Sequence, residues 1–190
     1  MADIIIETER LLLCKPAEGD VTLHYRLLNS VRVREYLGGP EEFHQVEAQH
    51  AKAIASFARE GFGFMMVTEK YTGELVGNCG MKRVDDLAAP NVGDHEIGWV
   101  VREDRWRRGY ANEAMRAVIE WAFQAIGVTH LVALTSERNV PSWRFMEKLG
   151  MERRADLDFL DTSRGSPDNS TIQYSLTKAQ WEAASCIGPA

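Results

Sequence analysis

The most constraining stretch of this chain reads Val101-Arg-Glu-Asp-Arg-Trp-Arg-Arg-Gly-Tyr-Ala-Asn-Glu-Ala114. It joins an apolar strand to an amphipathic helix through a basic turn that contains one glycine. The first N–H groups of a helix have no partner inside it, and the helix dipole favours an anion at that end. Gly109 lets backbone approach a ligand closely, Ala111 keeps the approach open, and Arg105, Arg107 and Arg108 add positive charge. A pyrophosphate site needs these properties. A solvated basic turn with a glycine for tight geometry is the alternative reading. Neither GxGxxG nor GxxxxGK[ST] is present, so the turn is neither a dinucleotide fingerprint nor a P-loop.

The rest of the chain sets this turn in an α/β frame. Ile4 to Cys14 reads as a first strand broken by the charges of Glu7, Glu9 and Arg10. Helices are expected over 16–28, 31–37 and 41–60, the second closed by Gly38-Gly39-Pro40 and the third by Gly61. Strands over 63–69 and 74–84 flank Tyr71-Thr72-Gly73, a hairpin signal. A loop over 85–94 leads to a strand at 95–102. After the basic turn come a helix over 112–126, a strand over 130–135 and a helix opened by Pro141 and closed by Gly150. Strands over 157–160 and 171–177 are separated by a polar loop, Asp161 to Ser170. The order predicts a single domain, 1–190, an α/β sandwich around a mixed, largely antiparallel sheet.

Composition narrows the function classes. A net charge of −6 argues against a general nucleic-acid binder. Cys14, Cys79 and Cys186 are odd in number and far apart, so neither a disulfide framework nor a zinc site is expected. The acidic start does not suit a signal peptide, and no apolar run is long enough to span a bilayer, so a cytoplasmic protein is expected.

Four segments together resemble the GNAT acetyltransferase superfamily, in particular its ribosomal-protein N-terminal acetyltransferase branch. They are Glu7-Thr-Glu-Arg-Leu-Leu-Leu13 with His95-Glu-Ile-Gly-Trp99, then Trp106-Arg-Arg-Gly-Tyr-Ala-Asn-Glu-Ala114, then Asn139-Val-Pro-Ser-Trp-Arg-Phe-Met-Glu-Lys-Leu-Gly-Met151. The resemblance implies a GNAT-like sheet whose fourth and fifth strands, here 96–101 and 130–135, splay apart around pantetheine. It implies acetyl-CoA as co-substrate and an amine acceptor, either a protein N-terminus or a small molecule. The family's (Q/R)xxGx(G/A) motif falls on Trp106 to Ala111, departing at Trp106. Phosphate contacts would then come from the amides of Arg107, Arg108, Gly109, Tyr110, Ala111 and Asn112. The backbone of Trp99, Val100 and Val101 would pair with pantetheine, one N–H acting as an oxyanion donor. Asn139 matches a cofactor-contacting position.

For the chemistry, Glu96 resembles the branch's strand-four glutamate and is the candidate base, helped by burial or a water relay. A plain charged residue on an open strand face is the alternative. The position where many relatives carry a tyrosine acid holds Met146; the branch it resembles uses a serine just after the asparagine, and that resemblance implies Ser142 as the candidate acid or sulfur-side donor, with a helix cap as its alternative role. Phe62, Phe64, Trp99 and Trp143 either shape an acceptor pocket or pack the core. The family also suggests a homodimer. A non-catalytic acyl-CoA-binding module is the competing function.

Overall fold

The computed structural model describes residues 3–161 and 170–186, with side chains described as far as 184. The expected loop over 161–170 therefore lies, from 162 to 169, outside the described residues. The described residues form nine strands and five α-helices in a mixed, mostly antiparallel arrangement. They group into two compact units, one running to Lys82 and including Gly98–Trp121, the other holding Arg83–Ile97 and the residues from Ala122 onward.

In the first unit the expected opening strand is a hairpin. β1 (Ile4–Glu7) and β2 (Leu11–Cys14) pair antiparallel with Ile6 opposite Leu13. Of the charges that looked like interruptions, Glu9 and Arg10 lie in the turn, while Glu7 ends β1 opposite Leu12. In the turn the Thr8 amide donates to the Leu11 carbonyl (3.0 Å), and the Leu11 amide donates back to the Thr8 hydroxyl (2.9 Å). β2 continues onto β3 (Phe64–Glu69), with Leu13 opposite Val67, and β3 onto β4 (Leu75–Arg83), with Met65 opposite Cys79. The Tyr71-Thr72-Gly73 turn joins them as expected, with Gly73 at φ 70°.

α1 (Val21–Leu28) follows a short 3-10 turn at Glu18–Asp20. The expected helix over 31–37 is instead a series of turns. The Arg34 guanidinium donates to the Gly39 carbonyl (3.1 Å) and pairs with Glu41 (2.7 Å), which folds the segment back through Gly38 and Gly39, both left-handed. α2 (Phe43–Glu60) starts where the Gln45 side chain accepts from the Glu42 amide (2.9 Å), a capping arrangement, and stops at left-handed Gly61. Its inner face buries Val46, His50 and Phe57.

A histidine pair sits between α1 and α2. His50 donates from Nε2 to the Ala17 carbonyl (2.8 Å), and the His24 ring meets it edge-on at 6.1 Å. His24 Nδ1 is buried with no hydrogen-bond partner among the described residues. Burial first, then the charges of His50 and Arg34, push His24 from 6.5 down to about 4. The folded state thus holds His24 neutral while the unfolded chain binds a proton below pH 6.5. Its share of stability is complete above that pH and is lost as pH falls toward 4, amounting to about 3 kcal/mol. Melting temperature should fall across this window. His24→Phe, measured by thermal denaturation from pH 7 to 4, should flatten that slope.

The first unit also holds the C-terminal half of β5 (His95–Val101) and α3 (Tyr110–Trp121). α3 starts two residues before the expected 112, and a π-helical turn, Ala122–Ile126, completes the expected span. In the second unit β6 (His130–Ser136) pairs antiparallel with β9 (Ser170–Thr177), placing Leu131 opposite Leu176 and Ala133 opposite Tyr174. β7 (Glu152–Arg153) and β8 (Phe159–Leu160) both lie on β9. β5 pairs parallel with β6, and that ladder holds one registered pair, Glu96 opposite Val132. α4 (Val140–Lys148) and α5 (Lys178–Cys186) complete this unit. α5 and β7 were not expected from the sequence.

Candidate active site

The basic turn has the backbone of an anion site. After a 3-10 turn at Glu103–Arg105, Arg107 lies at φ 59° and Gly109 at φ 81°. Among the described residues Arg107 is the single non-glycine at positive φ. Such a residue costs on the order of 1–3 kcal/mol, and this kind of strain gathers at functional sites. Backbone that alternates between the two hands forms concavities lined by N–H groups. Here none of the amides from Arg107 through Asn112 donates to an acceptor among the described residues. Arg107, Arg108 and Gly109 precede the helix, and Tyr110, Ala111 and Asn112 are the orphan donors of its first turn.

Side chains from elsewhere in the first unit hold the turn. Glu113, in the first turn of α3, accepts from the Thr8 hydroxyl (2.6 Å), the Arg10 amide (2.8 Å) and Arg10 Nε (2.6 Å). Burial pushes the Glu113 carboxyl up, but Thr8 and Arg10 outweigh it and hold the group below the ordinary carboxylate range. Arg10 also donates to the Arg108 carbonyl (3.1 Å) and lies 4.7 Å over the Tyr110 ring. The Tyr110 hydroxyl donates to Glu69, which raises the phenol and, with the Thr72 hydroxyl bond, lowers the carboxyl. Of the three turn arginines counted as positive charge, Arg105 is committed: it pairs with Glu74 and lies 3.9 Å from Glu69. Among the described residues Arg107 and Arg108 make no such pair.

β4 meets β5 at very close range beside the turn. A Cβ on Gly77 would stand 2.1 Å from the Val100 carbonyl oxygen and 3.0 Å from Val101 Cα, so only glycine fits. The Arg102 amide donates to the Val76 carbonyl (2.9 Å), and the Trp106 indole donates to the Val101 carbonyl (2.7 Å). A small open pocket lies between Gly77–Cys79, Trp99–Val101 and the first turn of α3. It brings together five of the residues expected to bind cofactor: Trp99, Val100, Val101, Tyr110 and Ala111. Two buried acceptors in this region, Asn112 Oδ1 and Asn78 Oδ1, lack partners among the described residues. Asn78 was missed by the sequence reading; its signal was a lone amide in the apolar run Leu-Val-Gly-Asn-Cys-Gly-Met. Its neighbour Cys79 is core: burial pushes its thiol up to about 12, which suits inert packing rather than a nucleophile.

Of the remaining expected residues, Glu96, Asn139, Ser142, Trp143 and Met146 belong to the second unit, and Phe62 and Phe64 to the first. Glu96 is half-buried on β5, on the strand face it shares with Gly98 by alternation. Asn139 caps α4, accepting from the Ser142 amide (3.3 Å) and donating to the Thr135 hydroxyl (3.0 Å). The cap expected of Ser142 is therefore supplied by Asn139. The Ser142 hydroxyl, half-buried, makes no hydrogen bond among the described residues. Met146 and Phe62 are core, 1% and 2% exposed. The Phe64 ring fills the space over Gly98, where a Cβ would come within 2.8 Å of it. Trp143 donates to the Glu137 carbonyl (3.2 Å), with Arg144 5.6 Å over its ring.

This arrangement has relatives. A family model described as an acetyltransferase (GNAT) domain matches residues 10–152. YoaA of Bacillus subtilis (strain 168), described as an uncharacterized N-acetyltransferase, is 28% identical over 178 residues, 92% of this chain and 97% of its own length. The crystal structure of an acetyltransferase from Agrobacterium tumefaciens str. C58 is 26% identical with a TM-score of 0.74, covering 91% of this chain and 94% of that one. An aminoglycoside acetyltransferase solved in complex with coenzyme A shares the fold at 20% identity and a TM-score of 0.72, covering 92% of this chain and 99% of that one.

Proposed function

The chain belongs to the GNAT acetyltransferase family and is an acyltransferase, and from that premise we propose that it moves the acetyl group of acetyl-CoA directly to a primary amine within a ternary complex. The observation that carries this reading is the row of unclaimed amides from Arg107 through Asn112, next to a pocket bounded by the end of β5. Pyrophosphate suits those amides and the Arg107 and Arg108 charges. Pantetheine suits the backbone of Trp99, Val100 and Val101. The Val101 carbonyl already accepts from the Trp106 indole and the Val100 carbonyl lies tight against Gly77, so N–H donation is the stronger contribution of this edge. One such N–H polarises the thioester carbonyl and holds the developing oxyanion.

Glu96 receives the ammonium proton, directly or through water, so that the nitrogen lone pair can attack. The N–C bond forms and the C–S bond breaks. The Ser142 hydroxyl, with Asn139 fixing its helix turn, donates toward the departing sulfur. Holding both reactants together makes an acyl-enzyme unnecessary. The acceptor is either a protein N-terminus or a small-molecule amine.

The test is CoA release with acetyl-CoA and a panel of peptides and small amines, followed with a thiol reagent. Release that depends on one or more amines supports transfer. Tight acetyl-CoA binding with no amine-dependent release across the panel would replace transfer by a non-catalytic acyl-CoA-binding role.

A further inference from the structure

We propose that Trp106 is a positioning residue, a latch that keeps the anion cradle formed before any ligand arrives. The inference rests on the reading of the Arg107–Asn112 turn as the pyrophosphate site. The turn is exposed, contains a left-handed arginine and leaves six consecutive amides without acceptors. A loop with that much unsatisfied backbone relaxes unless something outside it fixes its shape.

Trp106 supplies the fixing from the residue that enters the turn. Its backbone is extended, φ −63° and ψ 155°, and its amide closes the preceding 3-10 turn on the Glu103 carbonyl (3.3 Å). Its indole N–H reaches back to the Val101 carbonyl at 2.7 Å, tying the turn to the last residue of β5. The Arg32 guanidinium lies 5.5 Å over the indole ring, bracing it from the α1–α2 connection. Main chain and side chain are thus both anchored immediately before Arg107, which sets the direction in which the backbone enters its left-handed step. The indole remains 38% exposed, a large aromatic kept at the surface by its hydrogen bond and not by burial. Pre-organisation of this kind acts on cofactor affinity and not on the chemical step.

The experiment compares CoA affinity by calorimetry, with acetyl-CoA KM and kcat, in the wild type, Trp106→Phe and Trp106→Gln. Phenylalanine keeps a ring for Arg32 but loses the donor; glutamine keeps a neutral N–H donor. Trp106→Phe should weaken CoA binding and raise KM about tenfold with kcat unchanged, as expected for one well-made hydrogen bond. Trp106→Gln should stay within about threefold of the wild type for the same reason. Wild-type affinity in Trp106→Phe overturns the latch, as does a loss of kcat in step with melting temperature. Should Trp106→Phe fail to fold, Arg32→Ala, at an exposed position, carries the test with an expected two- to fivefold loss, about what an exposed cation–π contact gives; unchanged affinity there overturns the brace. Gly109→Trp separates the two readings. Binding that survives it removes the pyrophosphate assignment itself, whereas binding lost there but intact in Trp106→Phe removes only the latch.

Discussion

Glu96→Gln should lower kcat by about 10²–10³-fold while leaving CoA affinity unchanged, the range expected when a positioned general base is removed. Glutamine has the size and polarity of glutamate, so the registered pair of Glu96 with Val132 and the strand geometry persist. What is lost is a group able to take the ammonium proton. Steady-state kinetics with saturating acetyl-CoA, beside calorimetry for CoA, separates the two quantities. Adding Ser142→Ala should lower the rate further, because its unclaimed hydroxyl is the proposed donor to sulfur. Full turnover in Glu96→Gln would return Glu96 to the role of an ordinary polar residue on a strand face.

Gly109→Trp should weaken CoA binding more than a hundredfold, against a loss of about 1 kcal/mol in stability from a non-glycine at positive φ. The direction of the new side chain decides the outcome. A Cβ on Gly109 meets one neighbour, Arg10 Nη2, at 3.3 Å. That guanidinium donates to the Arg108 carbonyl and to Glu113, so it sets both the turn and the first turn of α3. An indole at 109 must displace it, and the cradle loses its support along with its open face. Gly109→Ala only nudges the flexible end of Arg10 and should cost far less affinity. Calorimetry with CoA, and circular dichroism to confirm folding, checks both variants. Strong binding by a folded Gly109→Trp would turn the segment back into a basic surface loop.

Much of the frame was readable because local rules and the final packing agree. The Tyr71-Thr72-Gly73 hairpin, the stop of α2 at Gly61 and the strand–turn–helix around Gly109 each follow from a glycine placed where the backbone turns left-handed. The failures mark places where distant groups decide. Val31 to Leu37 has helix-like apolar spacing, but Arg34 bonds to Gly39 and Glu41 and closes a turn instead. Glu7, Glu9 and Arg10 looked like breaks in one strand, because nothing local says that Thr8 and Arg10 are held by Glu113. α5 carries one large anchor, Trp181, which is buried, and the pattern of a single anchor is too sparse to announce a helix.

The site shows the same division. The backbone geometry of the turn, with Gly109 left-handed before a helix, was legible because it is contiguous in sequence. Asn78 was not, since an amide within an apolar strand gains meaning only when its buried oxygen proves to lack a donor. The cap weighed as the alternative role of Ser142 falls to Asn139, whose side chain accepts from the Ser142 amide.

The clasp of Thr8 and Arg10 on Glu113 has a consequence for biogenesis. Arg10 and Glu113 are 103 residues apart, so during synthesis the hairpin leaves the ribosome long before the helix it must grip. On the proposed reading of this turn as a pyrophosphate site, the site cannot assemble piecemeal, and coenzyme bound there would reward only a chain whose first unit is already complete. Ligand binding then adds its own free energy to that unit's stability, in proportion to the logarithm of coenzyme over Kd. The cell's coenzyme supply would thereby act as a late folding ligand, protecting finished molecules and leaving unfinished ones to quality control.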